Sequence, residues 1–426
     1  MKVLLVHSFL YPEHGGDSVY TLRLGRLLEE QGNEVGYFGM RDPRNVEHPL
    51  SHHEVAPIDF DALNVRKSFA SGLRVLGRAV YSPAARRHLG RLLDEWHPDI
   101  VHLQSIHYHL TTSILPELYA RRIPVVWTQH NLALVCCNTM LKGDTICERC
   151  KPNRFYSPIL IRCKKGSLAA SLVGSLQLSA DHLRGVYEGV DRFITVSRFY
   201  KEKLAEFGFD RSRISVVPNP YEAPPAVEDR TSGGRTGYLL CLGRLTPEKG
   251  VETLIDAMPR LPGEIELLVV GDGPQRPRLE RRAAERGARV RFLGERRGAE
   301  LEALIGGCLL SVTPSICYEN FPNTVVESFI RGKPVVAAAI GGLPELVVHG
   351  ETGLLFRPGD ASDLAGRLDR ALRDRGRLVE LGEKARAFAL RELDPRLHYR
   401  RLMEIYERHT DRPLAAARHR WSKAAM

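Results

Sequence analysis

Tyr238-Leu239-Leu240-Cys241-Leu242, followed by Gly243-Arg244-Leu245-Thr246-Pro247-Glu248-Lys249-Gly250, is the stretch on which the fold turns. Five apolar residues ended by glycine read as a strand buried on both faces, and the segment near 251–260 carries helical spacing. The alternation continues downstream with strands at 265–270, 290–293, 309–313, 334–338 and 354–356, and helices at 274–286, 299–305 and 324–331. Upstream it runs through strands at 2–7, 34–38, 100–103, 125–128, 193–196 and 214–217, with helices at 17–31, 113–121 and 168–187. Strands that alternate with helices predict mostly parallel sheets covered on both faces. The fold class is therefore α/β, with two doubly wound, Rossmann-like domains facing each other across a cleft.

Residues 221–236 hold Pro224-Pro225 and Gly233-Gly234 among scattered charges and read as a connector. The expected organisation is a first domain over 1–220, a second over 237–395, a terminal helix over 396–410 and a basic tail over 411–426. At 426 residues and 43% apolar content, two domains can each bury a core. No apolar run is long enough to cross a bilayer as a helix, and the start lacks the pattern of a secretory signal, so a cytoplasmic location is expected. The net charge of +10 favours an anionic partner. Arg66, Lys67, Arg74, Arg78, Arg86, Arg87 and Arg91 fall within 62–91 without one carboxylate, interleaved with apolar residues. That pattern suits a basic amphipathic surface on the inner face of a membrane, or a solvated helical face.

The Arg244 to Lys249 loop, placed between a strand's carboxyl end and a helix, suits a clamp on a diphosphate. Glu319 and Glu327 lie eight positions apart in Cys317-Tyr318-Glu319-Asn320-Phe321-Pro322-Asn323-Thr324-Val325-Val326-Glu327. Pro322 opposes helix before Asn323, which leaves Glu319 in a loop and Glu327 in the first turns of a helix. The backbone N–H groups of Asn323, Thr324 and Val325 would then offer an anion site, and Glu327 suits the hydroxyls of a ribose. The plain alternative makes Asn323 an N-cap and Glu327 an exposed helical residue.

These segments occur in one order with 269–274, 332–337, 341–345 and 353–356, and the chain resembles the family 4 glycosyltransferases, retaining enzymes of the GT-B fold. The resemblance covers residues 1–410 and is most specific over 238–358. It implies transfer of a sugar from a nucleoside-diphosphate donor to a glycan or lipid-linked acceptor, with no cofactor needed for the chemistry. Arg244 and Lys249 would hold the donor diphosphate, Glu327 its ribose, and Glu319 would face the donor sugar. Gly15 and Gly16 match the glycine-rich first loop, and His130 matches a histidine beside the donor sugar. Where relatives carry His-Asp, this chain has His130-Asn131, so carboxylate support for the histidine does not come from that position. The implied partners are the donor, the acceptor and an anionic membrane surface through 62–91, with no nucleic acid. A nucleotide-sugar epimerase and a non-catalytic sugar-nucleotide-binding scaffold are the competing readings.

Five of the eight cysteines fall within 28 residues: Cys136, Cys137, Cys147, Cys150 and Cys163. A C-x2-C knuckle with a flanking cysteine on each side suits structural zinc, and also packed thiols, a disulfide or an iron–sulfur cluster. The resemblance extends to a subset of relatives with such an insertion, here 136–163, and favours Cys136 over Cys137 as first ligand, beside Cys147, Cys150 and Cys163. Cys241, Cys308 and Cys317 read as small buried hydrophobes.

Overall fold

The computed structural model describes residues 1–12, 15–57, 77, 80–107, 109–143, 145–221 and 237–410. Most of the connector, most of the basic stretch over 62–79 and the tail over 411–426 lie outside the described residues.

The first sheet holds β1 (Lys2–Val6), β2 (Glu34–Phe38), β3 (Ile100–Leu103), β4 (Val125–Gln129), β5 (Arg192–Thr195) and β6 (Ile214–Val216), all parallel, in the order β2-β1-β3-β4-β5-β6. The second holds β7 (Tyr238–Leu242), β8 (Glu266–Val270), β9 (Val290–Gly294), β10 (Leu310–Thr313), β11 (Val335–Ala338) and β12 (Gly353–Phe356), in the order β9-β8-β7-β10-β11-β12. Each sheet has a point where the winding reverses, between β1 and β3 and between β7 and β10. Ligands of doubly wound folds bind outside the carboxyl ends of the strands at such points.

Burial on both faces explains the unbroken apolar runs. Within β1, Leu4 and Val6 join one core cluster while Val3 and Leu5 join another, as the two-residue period of a strand requires. That second cluster also contains Leu402, Ile405 and Tyr406, from the helix Pro395–Thr410 at the far end of the sequence. The terminal helix therefore returns to the first domain and covers one face of its sheet. Its amphipathic pattern announces a helix but not the domain on which it lies.

Buried imidazoles fix that return. His398 Nδ1 donates to the Pro218 carbonyl at 2.8 Å and its Nε2 lies 3.2 Å from the Tyr20 hydroxyl. His102 bridges the Tyr406 hydroxyl and Thr128 Oγ1, each at 2.7 Å. Burial pushes His102 down to about 3 and His398 to about 4. Both folded values lie below the ordinary imidazole value, so the folded chain keeps these rings neutral while the unfolded chain takes up protons. Their stability contribution is complete above pH 6.5 and is lost as pH falls towards 4. Calorimetry between pH 6 and 5 should show the unfolding free energy falling by about 1.2 kcal/mol for each histidine, close to the limiting slope of about 1.4 kcal/mol per pH unit. His398→Gln should flatten that slope, and a slope unchanged by the substitution would contradict the assignment.

Candidate functional site

The loop after β7 turns at Gly250, whose φ of 65° and position leave no space for a side chain; a Cβ there would lie 2.1 Å from the Pro314 carbonyl oxygen. The turn brings Lys249 back over the carboxyl ends of β7 and β10. Arg244, Lys249, Ser315, Glu319, Asn323 and Thr324 line one cavity of about 210 Å³ at this reversal point. Lys249 Nζ donates to Glu319 Oε1 at 2.6 Å, and Ser315 Oγ donates to the same oxygen at 2.7 Å. Burial opposes the charge on Lys249, but Glu319 more than offsets it, and the ammonium is held above its ordinary value even with Arg244 repelling it. The fold thus brings the two expected cations together, and it places Glu319 in contact with one of them.

Glu319 lies in a loop, and a helix runs from Asn323 to Ile330, as the proline predicted. Asn323 is the first helical residue rather than an N-cap, which is Pro322. The Val325 amide donates to the Pro322 carbonyl at 3.1 Å, and Val325 is buried in the second core. Val325 therefore drops out of the expected anion site, which leaves Asn323 and Thr324 at the cavity wall. Glu327 does not line that cavity; Glu302 and Arg23 act on its carboxyl, and it acts in turn on Tyr221. Burial raises its carboxyl above the usual range, Glu302 raises it further, and Arg23 opposes both.

The first domain supplies the opposite wall. A Cβ on Gly16 would lie 3.5 Å from Asn323 Nδ2, so the glycine-rich turn Gly15-Gly16 meets the helix start across the cleft. Just inside the helix Gly16–Glu30, Asp17 accepts from Ser105 Oγ at 2.5 Å and lies 3.4 Å from His7 Nε2. Burial works against this carboxylate, yet His7 and Ser105 hold it well below the usual range. His130 follows β4, and its Nε2 lies 2.8 Å from Gln104 Oε1. Burial pushes His130 down to about 4; Asp17 opposes the shift and His7 adds to it. A carboxylate does therefore act on His130, but it comes from Asp17 rather than position 131. Sequence reasoning missed Asp17, Gln104 and Asn320, and only the acidic residue next to Gly15-Gly16 was a visible signal.

Polar contacts join the two walls. Asn320 Nδ2 donates to the carbonyls of Gln129 and His130 at 3.3 and 3.2 Å, and Ser197 Oγ donates to Asn320 Oδ1 at 2.7 Å. Glu345 accepts the amides of Phe199 and Arg198 at 2.7 and 2.8 Å, so a carboxylate of one domain caps the helix Arg198–Glu206 of the other. Glu148, inside the cysteine-rich insertion, accepts from Lys203 Nζ at 2.7 Å and from the Tyr318 hydroxyl at 2.8 Å.

The insertion itself departs from expectation. Its thiols pair as Cys136 with Cys150 and Cys137 with Cys163, so Cys137 takes the place foreseen for Cys147. The hydrogen bond from Cys150 draws Cys136 down to about 7 and pushes Cys150 up. A tetrahedral zinc site would gather four sulfurs, whereas among the described residues the only three metal-ligating groups within 4.8 Å of one another are His52, His53 and Glu95. The expected quartet does not fit zinc in this arrangement. Cys241, Cys308 and Cys317 are buried, as foreseen.

Three substitutions test these contacts. Cys147→Ser should leave stability within about 0.5 kcal/mol, whereas Cys137→Ser should cost about 1–3 kcal/mol in chemical denaturation. Stoichiometric metal that disappears with Cys147→Ser would restore the original quartet. Glu345→Ala removes two charge-assisted bonds, about 1–3 kcal/mol of contact between the domains. Small-angle scattering should then report a larger radius of gyration, and an unchanged value would show the cap to be dispensable.

Known proteins share this architecture. Residues 228–388 match the family described as Glycosyl transferases group 1, and residues 14–223 match Glycosyltransferase Family 4. A curated but uncharacterized glycosyltransferase of Methanocaldococcus jannaschii is 32% identical over 88% of this chain and 90% of its own length. The D-inositol 3-phosphate glycosyltransferase of Nocardia farcinica is 29% identical over 88% of this chain and 81% of its own. Among solved structures, sucrose-phosphate synthase from Thermosynechococcus elongatus superposes with a TM-score of 0.69 at 21% identity, covering 96% of this chain and 98% of that one. Anabaena HepE, in complex with UDP and glucose, gives 0.66 at 20% identity, over 96% and 100%. Two facing doubly wound domains and these matches establish the GT-B fold, and the chain belongs to the family 4 glycosyltransferases.

Proposed function

We propose that this glycosyltransferase moves a sugar, with retention at the anomeric carbon, from a nucleoside-diphosphate donor to a glycan or lipid-linked acceptor in polysaccharide synthesis at the cytoplasmic face of the membrane. The observation that carries the reading is the convergence of Arg244, Lys249 and the start of the helix Asn323–Ile330 on one cavity. Departure of the diphosphate places negative charge there, and fixed cations with helix-terminal N–H groups stabilise it without a divalent metal. HepE, whose complexes hold UDP and glucose or UDP-glucose, lends support to a uridine donor. Glu319 meets the sugar end of the donor and Glu327 its ribose. His130, kept neutral at pH 7 by its burial, serves as a hydrogen-bonding neighbour of the sugar. The cysteine-rich insertion takes no part in the chemistry and shapes the acceptor side through Glu148.

Lys249→Ala should lower turnover by about a hundredfold, roughly 3 kcal/mol of barrier, while the protein stays folded at the assay temperature. Wild-type turnover would remove the mechanism. UDP, GDP and ADP at one common concentration should separate in a thermal-shift assay, with the true donor base adding about 2.7 kcal/mol of stability once that concentration reaches about a hundred times its dissociation constant. Conversion of the nucleotide sugar to an epimer without any acceptor would favour an epimerase, and no turnover at all a binding scaffold.

A further inference from the structure

Helix Leu168–Leu183 is amphipathic the wrong way round for a helix that serves only the core. It buries Ser171, Gly174, Ser175, Gln177, Leu178 and Asp181, of which only Leu178 is a large apolar side chain, and turns Leu168, Leu172, Leu176 and Leu183 outward at 51%, 40%, 53% and 89% exposure. Leu168, Leu172 and Leu176 recur every four residues, which sets them in one line along the helix. The short helix Ser157–Ile161 packs against it and, with the residue before it, adds Leu160 at 75% and Tyr156 at 59%. Six of the nine exposed large hydrophobics among the described residues thus lie on one surface. Isolated exposed leucines are ordinary, but a continuous stripe marks an interaction surface.

The inner side explains why the helix cannot simply rotate. Gly174 lies against Cys137, where a Cβ would meet the cysteine Cβ at 2.5 Å, so only a small-residue face can seat on the insertion. The leucines are therefore held outward by the packing beneath them.

Charge identifies the occupant. Arg154, Arg162, Lys165 and Arg184 are exposed around the stripe, and between 149 and 187 the only carboxylate is the buried Asp181, which accepts from Thr112 Oγ1 at 2.6 Å. A second copy docking face to face would bring the same cations together without a counter-charge. A bilayer rich in anionic headgroups accepts both features, leucines at the acyl boundary and cations at the phosphates. Sixteen residues give about 24 Å of helix, suited to lying along that boundary and not to crossing it.

We propose that the face formed by Leu160, Leu168, Leu172 and Leu176 with Arg162 and Lys165 docks the protein on an anionic lipid bilayer. These residues belong to a different part of the sequence from the basic stretch over 62–91, and the proposal stands independently of the sugar-transfer reading. The test is co-sedimentation of the full chain with vesicles of phosphatidylcholine alone or mixed equally with phosphatidylglycerol. The wild type should bind the mixed vesicles at least about tenfold more tightly, and added salt should weaken that binding. Leu172→Glu with Leu176→Glu should cut binding at least about tenfold, and Arg162→Glu with Lys165→Glu should erase the preference for phosphatidylglycerol. These side chains face outward, so thermal melting should stay unchanged; the pair Leu172→Ser with Leu176→Ser repeats the test without added charge. Absence of binding by the wild type, or binding that survives both leucine pairs, overturns the proposal. So does a dimer in sedimentation equilibrium that the leucine substitutions dissociate while vesicles have no effect.

Discussion

Holding positive charge still inside a half-enclosed crevice is the constraint on which the second domain is organised. Burial alone would weaken the hold of Lys249 on its proton, and Glu319 reverses that tendency. Ser315 then supports Glu319, and the Gly341-Gly342 turn packs against the same loop, with the Gly342 amide donating to the Glu319 carbonyl at 2.6 Å. Gly341 has φ of 61°, and a Cβ there would come within 2.4 Å of that carbonyl oxygen. Arg244 faces Lys249 across the cavity and repels it. An anion bound between them would relieve that repulsion.

Apart from the Tyr318 ring, which packs on Phe199 and the edge of the first core, the walls of the cleft meet through polar groups. Asn320 reads backbone carbonyls of the first domain, and Glu345 completes a helix start of that domain. Each of these groups is readily satisfied by water once the walls part, so separation costs far less than breaking either hydrophobic core. Such an interface suits a cleft that must admit a bulky donor and release a diphosphate.

Much of this was legible in the residues. Strands buried on both faces announce themselves as unbroken apolar runs, and every sheet strand foreseen in the chain is present within a residue or two at its ends. The Arg244 to Lys249 loop and the switch from loop to helix at Pro322 were equally readable, since proline and glycine act locally. What escaped depends on distance along the chain. Asn320 meets His130 across 190 positions, and nothing near either residue signals the partner. The pairing of thiols escaped because Cys136 and Cys137 are adjacent yet engage different partners, a choice made by three-dimensional packing against Gly174. The inverted helix Leu168–Leu183 has the periodicity of any amphipathic helix; only its surroundings show which face is inside.

The return of the helix Pro395–Thr410 to the first sheet has a consequence for how the protein is made. Leu402, Ile405 and Tyr406 complete a cluster seeded by Val3 and Leu5, so residues of the first sheet wait for residues made after the second domain. During synthesis the whole second domain emerges before the earlier sheet is sealed, and for that interval an apolar flank of the nascent chain stays open to solvent and to chaperones.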